Sequence, residues 1–265
     1  MPKICRFVHR STAQTGPEGV VAMSTQQLYR VRLGWGLEGV RRLAPVSDVV
    51  VIVDVLSFST TVDVAVGRGA AVIPWRWRDE SAPARAAELS AVLAVSRRDV
   101  DPRSRYSLSP ASCTAIPSGT RLVLPSPNGA TLAAIAAESG ATVLAGCLRN
   151  ATAVGLAAHQ LGRRVTVVAA GEHWPDGASW RPALEDELGA GAILDAIGFD
   201  PSPEAWLASA AFRAAGAQAA TLIADGESGR ELRDRGFSQD VEIATQHDVS
   251  RVVPRLVDGE FVDGR

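Results

Sequence analysis

Residues 49–56, VVVIVDVL, set the tightest limit on what this chain can become. β-Branched residues fill the run almost without interruption, and such a run forms a strand covered on both faces. Other short apolar runs fall at residues 28–33 (LYRVRL, alternating like a half-buried strand), 70–73, 120–124, 141–146 and 164–171. Alanine-rich stretches with helical spacing lie between them, at 60–67, 82–95, 131–138 and 151–161. Strand alternating with helix means βαβ units, so the chain is predicted to be α/β, with a largely parallel sheet and helices on its faces.

Beyond residue 171 the pattern turns mostly helical, at 184–197, 203–214, 228–235 and 239–246, and the tail VVPRLVDGEFV reads as a short hairpin about Asp258-Gly259. Residues 97–118 form a long irregular loop, and loops of that length are usually functional or mobile. A chain of 265 residues accommodates one α/β domain over residues 26–265 or two closely packed lobes. Residues 1–25 lack an apolar signal core and read as a flexible N-terminal extension.

The bulk chemistry excludes several function classes. With 46% hydrophobic residues there is ample core, and a net charge of -2 without a basic block argues against nucleic acid and against anionic membrane as partners. No apolar run approaches the roughly 20 residues of a membrane span. Cys5, Cys113 and Cys147 lack metal-ligand spacing and read as reduced thiols of a cytoplasmic protein. His9, His159, His173 and His247 show no metal-ligand spacing either.

In a parallel α/β sheet, ligands gather beyond the carboxyl ends of the strands, where helix N-termini present free N–H groups. This chain places Asp54 and then Ser57-Phe58-Ser59-Thr60-Thr61 at the first such end. Ser126, Asn128 and Gly129 stand at the second, in the turn of LVLPSPNGATLAAIA, and Gly146, Arg149 and Asn150 at the third. Gly171 and Glu172 end the last strand, and Glu185 and Asp186 open the following helix. Most of these residues have a structural alternative. Ser59, Thr60 and Asn150 suit helix capping as well as ligand binding, and Glu185 and Asp186 also complement a helix dipole. Asp54 differs, because a carboxylate ending an apolar strand is costly to bury without a cation or several donors. The phosphate-loop pattern GxxxxGK[ST], the third glycine of a dinucleotide site and the GxSxG elbow are all missing.

Read in order, VVVIVDVLSFSTT, LVLPSPNGATLA, GCLRNATAV, VVAAGEHWPDG, RPALEDELGAGAIL and the stretch from GESGRELRD to DGEFV resemble the 2-phosphosulfolactate phosphatase family, from about residue 29 to residue 262. The resemblance implies a three-layer α/β/α fold and a magnesium-dependent phosphatase of phosphate esters of small 2-hydroxy acids. Magnesium favours carboxylate and water oxygens, with one or two protein carboxylates as a rule. Asp54, Glu172 and Asp186 are the expected catalytic residues, and Glu185 joins them as an expected metal ligand. Ser59, Thr60, Thr61, Ser126, Asn128, Gly129, Arg149 and Asn150 are expected to bind the substrate. The partners expected are a small anionic phosphate ester and a second copy of the chain in a homodimer. One departure stands out: the family motif reads DVLRxSTT, and this chain has Ser57 where the motif has arginine. An arginine clamps an oxyanion through two donors in a way that serine cannot imitate. The competing reading is therefore a catalytically weak binding protein for a small anionic metabolite on the same fold.

Overall fold

The computed structural model describes residues 25–76, 81–174, 177 and 179–265. The N-terminal extension expected over residues 1–25 thus lies, apart from Thr25, outside the described residues. Strand β1 (Val31–Trp35) leads into helix α1 (Gly36–Leu43), then β2 (Val49–Val53), α2 (Phe58–Gly67), β3 (Ala71–Trp75), α3 (Ser81–Glu88) and β4 (Val92–Leu93). The short α4 (Pro110–Cys113) precedes β5 (Arg121–Pro125), α5 (Gly129–Glu138), β6 (Thr142–Gly146), α6 (Ala151–Leu161) and β7 (Val165–Ala169). A small ribbon follows, β8 (Glu172–His173) with β9 (Trp180–Arg181), and then α7 (Leu184–Ile197), α8 (Pro203–Ala215), α9 (Ala219–Asp225), α10 (Glu227–Asp234) and α11 (Ser238–Ala244). Strands β10 (Pro254–Val257) and β11 (Glu260–Asp263) end the chain.

The fold is a three-layer α/β/α arrangement about a nine-stranded, mostly parallel sheet of order β1-β7-β2-β6-β10-β11-β3-β5-β4. Strand β2 shows why the run at 49–53 had to be apolar throughout. Val49, Val51 and Val53 point into one core with Val154, Leu188 and Ile193 of α6 and α7, while Val50 and Ile52 point into the other with Val40, Val62 and Leu132 of α1, α2 and α5. All five strand residues are fully buried.

Several sequence expectations shift. The strand expected at 28–33 begins at Val31, because residues 25–28 form a 3-10 turn. The single helix expected over 82–95 stops at Glu88. Ser90 adopts a left-handed conformation (φ 51°), and Val92 and Leu93 then pair in parallel with β5 as an edge strand. Helical propensity here yields to strand pairing. Helices α1 and α9 were not marked by the apolar pattern, and the loop at 97–118 contains a 3-10 turn and α4.

The terminal hairpin is present, with positive φ at both Asp258 (51°) and Gly259 (84°), as a tight two-residue turn requires. Its position is less expected. It fills the middle of the sheet, Arg255 facing Leu144 of β6 and Phe261 facing Val72 of β3, both antiparallel. Phe261 is fully buried and meets Phe58 edge-on, with ring centroids 6.1 Å apart. The last strand therefore joins the two parallel blocks and props the residue four positions after Asp54. Phe261→Ala is expected to cost about 3–5 kcal/mol, read as a lowered denaturation midpoint. A loss below 1 kcal/mol, on the same order as a surface change, would make the hairpin a dispensable tail.

Candidate active site

Asp54 follows directly on β2 and is nearly buried, at 7% exposure. Its Oδ1 accepts the Phe58 amide (3.1 Å), and its Oδ2 accepts the Gly129 amide (2.9 Å) at the start of α5. The carboxyl ends of β2 and β5 thus meet at one side chain. Gly129 permits the meeting: a Cβ there would lie 2.3 Å from the Phe58 ring and 2.8 Å from Asp54 Oδ2.

Asp186, in the first turn of α7, is also buried, and it does not cap its own helix. Its Oδ1 accepts the Val55 amide (2.7 Å), and its Oδ2 accepts the Gly171 amide (2.9 Å), so it ties the ends of β2 and β7 together. Gly171 has φ 67°, and the Trp180 ring would collide with any Cβ placed on it. Glu172 Oε1 accepts from Asn128 Nδ2 (3.0 Å) and from the His173 amide (2.7 Å). Glu185 is buried beside Ser228, whose hydroxyl also accepts from Arg181 Nη2 (2.9 Å).

These four carboxylates act on one another. Burial, and next the charge of Glu172, push the Asp54 carboxyl up to about 7. Burial raises Asp186 well above the carboxylate range, assisted by Glu185 and Asp54. Glu185 is raised mainly by burial, opposed by its Ser228 hydrogen bond and by Arg181. Among the described residues, no three acidic, histidine or cysteine side chains converge as a ready metal cage. What the cluster offers is several carboxylate oxygens at one sheet end, with Arg181 beside Glu185.

The other expected residues divide. Asn128 turns its amide toward Glu172 and makes no cap hydrogen bond, and Ser126 is buried at the end of β5 with its amide on the Trp75 carbonyl (2.9 Å). Ser59, Thr60 and Thr61 direct their hydroxyls to the carbonyls of Ile52 (3.0 Å), Val55 (2.8 Å) and Ser57 (2.9 Å), where they brace the turn between β2 and α2. Arg149 and Asn150 are not brought to the carboxylates by any hydrogen bond. Arg149 Nε pairs with Asp63 (2.9 Å), and its Nη1 contacts the Ile243 carbonyl and Gln246. The fully buried Asn150 accepts the Cys147 amide (2.9 Å) and donates to the carbonyls of Ala145 and Val252. Asp63 consumes the charge of Arg149, and backbone groups consume the amide of Asn150. Sequence reasoning missed Arg97, which donates to the Ser57 hydroxyl at 2.7 Å. The only sequence signal for it was its place in a long loop.

An acidic cluster at the carboxyl ends of parallel strands marks an α/β protein that handles a small ligand there. The chain belongs to the 2-phosphosulpholactate phosphatase family, whose profile matches residues 39–259. It is a phosphatase, a phosphoric monoester hydrolase. It is also 32% identical over 225 residues to a probable 2-phosphosulfolactate phosphatase of Deinococcus radiodurans, an alignment covering 81% of this chain and 90% of that relative. Among the described residues no helix is long and apolar enough to cross a membrane.

The raised Asp54 carboxyl has a measurable consequence. The folded protein keeps this proton up to about pH 7, whereas an unfolded chain releases it near 3.9. The group therefore favours folding most below the unfolded value, and that contribution fades as pH rises through 7. In chelator, the melting temperature of the parent is expected to fall more between pH 5 and pH 8 than that of Asp54→Asn. Parallel pH slopes for the two proteins would mean that Asp54 carries no such shift.

Proposed function

We propose that the protein hydrolyses the phosphate monoester of a small 2-hydroxy acid, a 2-phosphosulfolactate-like compound, to the hydroxy acid and phosphate, with magnesium as cofactor. The observation that carries this reading is the convergence of Asp54, Glu172, Glu185 and Asp186 at one sheet end, where burial and neighbouring carboxylates raise Asp54, Glu185 and Asp186. Several carboxylates buried together at one sheet end are a common device for handling a cation or a proton. The family match supplies the reaction, and the relative named a probable 2-phosphosulfolactate phosphatase supplies the substrate class.

The donor set suits magnesium. Both oxygens of Asp54 and of Asp186 accept one backbone amide each, which leaves a further lone pair on every oxygen. Magnesium needs only one or two protein carboxylates and completes its shell with water and substrate oxygens, so a preformed cage of three ligands is not required. Asp54 and Asp186 would hold it, with Glu172 and Glu185 adding charge close by. Bound there, magnesium would neutralise charge on the phosphoryl oxygens.

The chain's own groups carry the rest. The amides of Phe58 and Gly129 lock Asp54 in one orientation, and those of Val55 and Gly171 do the same for Asp186. Fixed carboxylates need no rearrangement as the reaction proceeds, which is the main economy of a preorganised site. Asn128 donates through Nδ2 to Glu172 and holds that carboxylate in place without adding charge. With magnesium bound, Asp54 would be ionised, and its remaining lone pairs could accept a hydrogen bond from an attacking water.

Phosphate release from 2-phospholactate and related esters is expected to require magnesium and to disappear in Asp54→Asn, with circular dichroism and melting showing a folded variant. A protein that merely binds such esters would return a binding isotherm and no phosphate. Unchanged turnover in Asp54→Asn would remove that residue from the chemistry. Glu172→Gln and Asp186→Asn are each expected to raise the magnesium concentration for half-maximal rate. A stability loss of roughly 0.5–2 kcal/mol with unaltered metal dependence would instead assign them to capping.

A further inference from the structure

Arg97 lies in the connection between β4 and β5, yet its guanidinium reaches across to the turn that carries Asp54. Nη2 donates to Ser57 Oγ (2.7 Å) and to the Leu108 carbonyl (2.8 Å), and Nε donates to Asp240 Oδ2 (3.0 Å). Asp240 is buried and independently held by the Ser109 hydroxyl and the Ala111 amide. The Phe237 ring lies 5.5 Å from the guanidinium carbon. The plane of this arginine is therefore fixed from three sides. Among the described residues Nη1 carries no hydrogen bond, and the side chain keeps 18% of its surface exposed. The structure thus holds an oriented guanidinium whose Nη1 keeps its donors unused among the described residues.

Stability alone explains this poorly. A buried ion pair contributes little net stability, since desolvation offsets its attraction. Recognition explains it better, because a charged N–H donor held in one orientation makes a strong hydrogen bond to an oxyanion. The location fits as well. Ser57 is three residues beyond Asp54, and the next amide, of Phe58, is bonded to Asp54 itself. Arg97 forms no ion pair with Asp54, Glu172, Glu185 or Asp186; its acidic partner is Asp240. The guanidinium is thus one side chain, that of Ser57, away from the turn that carries Asp54.

We propose that Arg97, with the Ser57 hydroxyl, determines substrate specificity by binding the second anionic group of the ester, a carboxylate or sulfonate, while the phosphoryl group lies at Asp54. This rests on the phosphatase reading of the site and adds to it the residue that distinguishes an acidic ester from a neutral one. Three probes separate the contributions: 2-phospholactate, which carries a carboxylate, 2-sulfoethyl phosphate, which carries a sulfonate, and isopropyl phosphate, which carries no second anion.

Arg97→Lys keeps the charge and loses the planar guanidinium with its oriented Nη1 donors. It is expected to raise KM for one or both acidic esters by about 10- to 100-fold, with kcat little changed and isopropyl phosphate nearly unaffected. The acidic ester that loses affinity identifies the group bound. Ser57→Ala leaves Arg97 in place and is expected to weaken the same ester in the same selective way, to a smaller extent, so the test survives poor folding of the lysine variant. An equal loss on all three esters would overturn the proposal, placing Arg97 at the phosphoryl group or in the fold. Unaltered KM for all three in both variants would overturn it too. If the parent releases no phosphate, the phosphatase reading fails by itself. Calorimetric binding of the three esters to parent and variants then decides the role of Arg97 by the same selectivity.

Discussion

The structure depends on one buried carboxylate held by two backbone amides. Asp54 closes an apolar strand, and burying it there would be prohibitive if its oxygens lacked donors. The Phe58 amide comes from its own turn, whereas the Gly129 amide comes from the start of α5, 75 residues along the chain. The second bond brings the parallel block of β3, β5 and β4 to the block of β1, β7, β2 and β6 at their carboxyl ends. Asp186 repeats the device between β2 and β7. The contacts that organise the site are therefore also contacts that close the fold.

Positive charge is distributed to match. Arg149 is committed to Asp63, which also accepts from Ser250, and this pair anchors the segment leading into the terminal hairpin. Arg97 pairs with Asp240 through Nε, holds Ser57 through Nη2 and leaves Nη1 without a hydrogen bond among the described residues. The carboxylate cluster itself has Arg181 on its Glu185 side. The result is a site rich in oxygen acceptors, bordered by an arginine of fixed orientation. That combination suits an ester with two acidic ends better than a phosphate alone.

Much of the layer order was legible because apolar periodicity reports burial directly. The run at 49–53 had to be covered twice, and helices at 151–161 and 184–197 are read from their spacing with correct ends. Where pairing competes with propensity the reading fails. Residues 92–93 belong to an alanine-rich, helix-like stretch, and β5 recruits them as an edge strand. The hairpin was legible as a hairpin from Asp258-Gly259, but nothing local says that it enters the middle of the sheet.

The sequence by itself determined the α/β class, the doubly buried central strand and the presence of polar residues at successive strand ends. These follow from local chemistry, since periodicity, β-branching and turn residues act within a few positions. Only the tertiary structure decided which polar groups share a site. Asn150 and Arg149 look as suitable as Asn128 in a one-dimensional reading, and backbone carbonyls and Asp63 claim them instead. Arg97 stands 40 residues from Ser57, and no local pattern marks their contact. Such pairings depend on how the layers close over one another, and a charged side chain settles wherever that closure leaves a partner within reach.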